Sequence, residues 1–255
     1  MLPLTELHNF LEEKYDRYNR PDFIESDPIS IPHQFTRKED IEISAFLTAT
    51  IAWGNRKMII RNANRLMDLM DRAPYDFIQN FTDDDLRIFE NFVHRTFNGA
   101  DLAYFLKSLR NIYQNHGGLE TIFSNHEESD SMKEVITRFH NLFFELEHQS
   151  RTRKHVANTA KNSAAKRINM FLRWMVRNDK RGVDFGIWEN IPTRKLLCPL
   201  DVHSGNVARK LGLLARNAND WKAVEELTEK LRGFDEADPV KYDFALFGLG
   251  VFEKF

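Results

Sequence analysis

Apolar residues recur three and four positions apart along most of the 255-residue chain, the spacing that gathers them on one face of an α-helix. Leu7, Phe10, Leu11 and Tyr15 predict a first amphipathic helix over residues 3–18. Thr36-Arg-Lys-Glu39 has the form of a capping box and opens a helix over residues 40–52. Ile43, Phe46, Leu47, Thr50 and Ile51 make that helix a buried one. Trp53-Gly54-Asn55-Arg56 breaks the pattern, and Ile60, Ala63, Leu66, Met67 and Met70 carry a second helix over residues 57–70.

Short helices are expected at 75–80 and 83–92, then an amphipathic helix at 101–113 that stops at Asn115-His-Gly-Gly118. A single turn at 119–123 and a solvated loop at 126–131 lead into a long helix at 132–148, with Val135, Ile136, Phe139, Leu142, Phe143 and Leu146 inward. One or two helical turns at 154–159 and a turn at 161–165 precede a strong helix at 166–177. There Ile168, Phe171, Leu172 and Met175 face inward, and Arg173 and Arg177 are expected outward. Residues 196–214 open apolar, turn at Pro199 and enter a helix marked by Val207, Leu211 and Leu214. Helices at 221–231 and 241–247 complete the chain, the second started by Asp238-Pro239 and ended by Gly248 and Gly250.

Eleven glycines and eight prolines are too few for the frequent turns of an all-β fold. The expected class is all-α. Apolar content of 42% and charged content of 29% are those of an ordinary globular protein. The length allows one domain or two closely packed helical lobes. Cys198 is the only cysteine, which excludes an intramolecular disulfide and a four-cysteine iron–sulfur cluster and fits a reducing compartment. The N-terminus has no signal-peptide pattern, and no apolar run has membrane-spanning length. A cytoplasmic protein without membrane contact, cofactor or metal is expected.

The net charge of −2 is unevenly placed. From Arg151 to Arg216 there are 15 basic and 4 acidic residues, a balance of +11, which leaves −13 for the rest of the chain. Such a block suits a polyanion-binding face, although solvated helix faces also carry basic residues.

Two positions in this block carry candidate chemistry. Asp201 stands where a helix starts, the place of an N-cap, where unpaired backbone N–H groups favour its ionised form. Lys166 opens a helix after the turn-like Lys161-Asn-Ser-Ala-Ala165, and Arg167 beside it adds positive charge.

The segment Pro199-Leu-Asp-Val-His203, followed by Val207-Ala-Arg-Lys-Leu-Gly-Leu213, resembles the Pro-Val-Asp-Thr-His…Arg-Leu-Gly-Leu segment of the helix-hairpin-helix DNA glycosylases, the endonuclease III-like superfamily. Lys161 to Asn169 lines up with that superfamily's Pro-Gly-Val-Gly-Arg-Lys-Thr-Ala-Asn pattern, with Asn162 and Ala164 where its glycines stand. The closest likeness is to an uncharacterised bacterial branch.

The resemblance implies a two-lobed helix-hairpin-helix fold with a cleft between lobes. One lobe would span about 36–150 and a basic catalytic segment about 151–216, with residues 1–35 and 217–255 packing on the other lobe. It implies a monomeric repair glycosylase and abasic-site lyase acting on damaged double-stranded DNA, with an oxidised purine as the first substrate. Lys166 would be the nucleophile and Asp201 the catalytic carboxylate. Asn55, Arg56, Asn162, Ser163, Ala164, Arg167, His203 and Arg209 would contact DNA, Asn55 as a wedge. Trp53, Trp174 and Trp188 are candidates for stacking on a base. A DNA-binding protein of the same fold without catalysis, and an α-helical protein-interaction module, are the alternatives.

Overall fold

The computed structural model describes residues 3–125 and 131–255; the expected loop at 126–131 lies almost wholly outside them. Of the described residues 63% are helical, short 3-10 turns included, with almost no sheet. In order, the helices are α1 (Leu4–Tyr18), α2 (Asp22–Glu25), α3 (Lys38–Ile51), α4 (Arg56–Leu69), α5 (Pro74–Asn80), α6 (Gly99–Asn115), α7 (Leu119–Ser124), α8 (Met132–Phe143), α9 (Lys166–Val176), α10 (Val202–Lys210), α11 (Trp221–Arg232) and α12 (Tyr242–Val251). A two-residue hairpin, β1 (Val93–His94) and β2 (Phe97–Asn98), pairs antiparallel just before α6.

Helix starts follow capping chemistry at Asn55, Asn98, Asp201 and Asp220, whose side chains accept backbone N–H groups of the first turn. Three expectations change. Helix α3 starts two residues earlier than expected: Arg37 is its N-cap and supplies no side-chain bond, so Thr36 and Glu39 form no capping box. Helix α8 stops at Phe143 rather than running to 148, because the Phe143 carbonyl accepts the hydroxyls of Tyr104 and Ser108, each at 2.7 Å. Helix α12 runs through Gly248 and Gly250 instead of ending there.

The chain divides into two compact units. One comprises residues 24–130 and 135–157. Its centre is a cluster of phenylalanines, with rings of Phe46, Phe105, Phe139 and Phe143 separated by 4.7 to 6.1 Å. Edge, tilted and stacked contacts of this kind add to the burial of large apolar area.

The other unit comprises residues 1–23, 131–134 and 158–255. Its frame is α1 packed on α12, with α10 on the same helix. Gly248 sits beneath the Tyr18 ring, where a Cβ would come within 2.1 Å of Tyr18 Cδ2. This glycine was expected to stop the helix; it instead lets α1 and α12 approach closely. Trp174, Trp188 and Trp221 are fully buried in this unit, which removes Trp174 and Trp188 as surfaces for a stacked base. Among the described residues, no helix is long and apolar enough to cross a membrane.

Candidate functional site

Lys166 is the first residue of α9, and the turn that delivers it is tightly specified. Asn162 and Ala165 are both left-handed, at φ 62 and 47. Asn tolerates this conformation through its short polar side chain, whereas Ala is strained by its Cβ. Between them the Ser163 hydroxyl accepts the Ala165 N–H at 3.3 Å, and the buried Asn169 amide donates to the Ala164 carbonyl at 3.1 Å. The position matching a superfamily glycine, 164, is therefore not a left-handed one; the strain falls on Ala165.

Asp201 is the N-cap of α10. Its Oδ1 accepts the N–H groups of His203 at 2.8 Å and Ser204 at 3.0 Å, and the Ser204 hydroxyl receives the Asp201 N–H at 3.0 Å. The N-cap role read from spacing is thus present in full, and it uses one carboxylate oxygen. The other, Oδ2, lies 3.8 Å from the Lys166 ammonium, with both side chains about one quarter exposed (26% and 27%). The Lys166 Nζ also rests 3.6 Å from the Met170 sulfur. An amine and an acid thirty-five positions apart in the chain are brought together within one unit.

Behind this pair stand Arg173, on the same side of α9, and Arg177, its C-cap, seven and eleven positions on. Both are buried, at 4% and 1% exposure, against the outward placement expected from the pattern. The reason is a set of acidic partners. Arg173 pairs with Asp243 of α12 and with Asp184 at 3.2 Å. Arg177 reaches Asp238 at 2.8 Å, Asp179 at 2.9 Å and Asp184 at 3.1 Å, and donates to the Tyr15 hydroxyl at 2.8 Å. Buried guanidinium groups persist only with such complete pairing.

Burial pushes the Asp243 carboxyl up to about 6, against the opposing pull of Arg173 and Lys166; Asp201 and Asp184 add to the rise. Burial also raises the Cys198 thiol well above its usual range, so this cysteine is an inert packing group.

The remaining expected contact residues fall into distinct settings. Asn162 donates its amide to Asp220 at 3.0 Å, and Ser163 forms a bridge to Asp220. Ala164 and Arg167 are half-buried, and burial lowers the Arg167 guanidinium to about 10, still cationic at neutral pH. His203 is exposed beside Asp201. Arg209 spends its guanidinium internally, on the carbonyls of Arg216 and Asn217 at 2.8 and 2.9 Å and on Asn219 Oδ1 at 2.6 Å. It braces the loop that follows α10.

Asn55 and Arg56 belong to the other unit. There the exposed Asn55 side chain accepts the Met58 N–H at 3.1 Å as the cap of α4, and Arg56 is that helix's first residue. Exposed basic side chains in the unit of Lys166 include Lys161, Lys180, Arg194 and Lys210. No cluster of three or more metal-ligating side chains occurs among the described residues.

A family model described as "Protein of unknown function (DUF2400)" matches residues 27–252. The chain belongs to the DUF2400 family. No helix-hairpin-helix or glycosylase family is detected, and the membership drawn from residues 161–169 and 199–213 is corrected accordingly. Those stretches are a turn entering a helix and a capped helix after a proline, local solutions that helical chains reach independently. No curated protein and no solved structure matches the chain.

For this DUF2400 chain the sequence reading missed Asn219, Asp220 and Asp243. Asp220 had a local signal, an acidic residue just before the helical run of α11. Asn219 and Asp243 act over long sequence separations and had none.

Proposed function

We propose that this protein uses the Lys166–Asp201 pair for amine chemistry on the sugar of damaged double-stranded DNA, as a glycosylase with abasic-site lyase activity. The observation that carries the reading is the 3.8 Å approach of Lys166 Nζ to Asp201 Oδ2, with both groups part-exposed at the starts of two helices. The ion pairs directly behind this one look different. Those of Arg173 and Arg177 are buried and saturated, whereas Lys166 and Asp201 remain reachable. The exposed Lys161, Lys180, Arg194 and Lys210 supply positive charge for a phosphate backbone.

The chemistry assigns each group one task. An amine attacks carbon only without its proton, which the part-exposed Lys166 gives up to solvent, so that Asp201 stays ionised. The Lys166 nitrogen then bonds to C1′ as the bond to the base breaks, the electron pair leaving with the base, which takes up a proton. Positive charge developing on the sugar ring is stabilised by the Asp201 carboxylate. Ring opening gives a Schiff base, and loss of a C2′ proton expels the 3′ phosphate.

Borohydride reduction during incubation with duplexes bearing an abasic site, an oxidised purine or an oxidised pyrimidine tests this. A covalent adduct that disappears in Lys166→Ala is expected. Absence of any adduct with the wild-type protein on all three duplexes would refute the assignment.

A further inference from the structure

Two adjacent residues outside both motifs touch both halves of the site. Asn219 donates its amide to the backbone carbonyl of Asp201 at 3.0 Å, at the start of α10. Asp220 accepts the Asn162 amide at 3.0 Å, and the Trp221 N–H donates to the Asn162 carbonyl at 3.1 Å. One dipeptide therefore touches the residue that carries the acid and the left-handed turn that delivers the amine.

Each half of this bracket is itself fixed. Asp220 Oδ1 caps α11 through the Ala223 N–H at 3.1 Å and accepts Arg216 Nε at 2.7 Å, while Oδ2 pairs with Arg216 Nη2. With Arg216 as the largest influence, its carboxyl is held well below the usual range. Asn219 Oδ1 accepts Arg209 Nη2 at 2.6 Å, so the amide orientation that aims Nδ2 at Asp201 is specified from behind. Gly205 of α10 leaves the space for it. A Cβ there would stand 2.8 Å from Asn219 Oδ1 and 2.9 Å from Arg209 Nη1.

The need for a bracket is visible at Ala165. A left-handed alanine persists only where surrounding contacts over-determine it, and this one directly precedes Lys166. We infer that Asn219 and Asp220 are positioning residues that set the Lys166 amine against Asp201. Their value for catalysis rests on the function proposed above; the geometric claim does not.

The test separates the two. The rate of reductive methylation of Lys166 by formaldehyde and cyanoborohydride, followed by mass spectrometry of the full chain, reads the amine directly. Asp201→Ala calibrates release from the acid. Asn219→Ala removes the donor, and Gly205→Ala displaces it with a single methyl while improving helix propensity. Both variants should label Lys166 about threefold faster, the scale of a lost part-exposed ion pair, with Lys161 and Lys210 unchanged and the thermal midpoint of Gly205→Ala preserved. On an abasic duplex, trapping should slow about tenfold at unchanged duplex affinity, as expected for a misplaced nucleophile.

Lys166 labelling that stays at the wild-type rate in both variants overturns the inference. Accelerated labelling in a protein whose wild type forms no adduct leaves the bracket standing and removes the proposed chemistry.

Discussion

Replacing Asp243 with asparagine removes one buried charge and nearly nothing else, and its effect should depend on pH in a defined direction. Asp243 is 6% exposed, and it is surrounded by Arg173, Lys166, Asp201 and Asp184. Its carboxyl is raised from 3.8 to about 6 in the folded protein. The folded state therefore keeps this proton to higher pH than the unfolded chain does. Between those values it binds more protons, so stability falls as pH rises through the window. A shift of about two units corresponds to about 3 kcal/mol at full ionisation, and roughly half of it develops above pH 5.

Asparagine keeps an oxygen for Arg173 and does not titrate. Urea unfolding of the wild-type and Asp243→Asn proteins between pH 4.5 and 8 should show the wild type losing about 1–2 kcal/mol relative to the variant as pH rises. A difference that is constant with pH would refute the reasoning, and so would one that grows in the wild type's favour. The second result would mean that the Arg173 ion pair outweighs the burial of the carboxylate.

Gly248→Ala forces a methyl toward the Tyr18 ring and should cost about 2 kcal/mol, the overpacking penalty less the gain in helix propensity; a gain in urea midpoint would show that α1 and α12 part without strain. Ala165→Gly relieves a left-handed alanine and should stabilise by about 0.5–1 kcal/mol after the added backbone entropy of glycine is subtracted. Destabilisation would mean that residue 165 does not occupy that conformation in solution. Lys166→Ala should abolish borohydride trapping without lowering the thermal midpoint by more than a few degrees, since its ion pair is part-exposed.

The helical class was legible because periodicity is a local property, and α1, α4, α9 and α11 stand where their apolar stripes place them. The Asp201 cap and the start of α9 at Lys166 were legible for the same reason. The burial of Arg173 and Arg177 was not. Their own segment shows two cations on a helix, and only Asp184, Asp238 and Asp243, up to seventy positions away, turn that face inward. Gly248 was misread as a stop because its meaning lies in Tyr18, on a helix 230 positions earlier. The family likeness failed in a related way: short motifs report how a helix begins, and many unrelated chains begin helices alike.

Helix α9 sets out the difference between a charge that holds a fold and one that is available for chemistry. Lys166 and Arg173 lie on one side of it and Arg177 is its C-cap, at offsets of zero, seven and eleven residues, and each meets carboxylates. Arg177 has several partners within 3.1 Å and almost no exposure, so moving it would leave buried charges uncompensated. Arg173 is intermediate, sharing Asp184 while its other partner, Asp243, resists ionisation. Lys166 has one acidic partner at 3.8 Å and keeps a quarter of its surface open. Releasing its amine toward a ligand costs little, because a part-exposed pair is weakly held. The buried end of the stripe anchors the helix, and that anchoring holds the open end, with its part-exposed amine, on a rigid base.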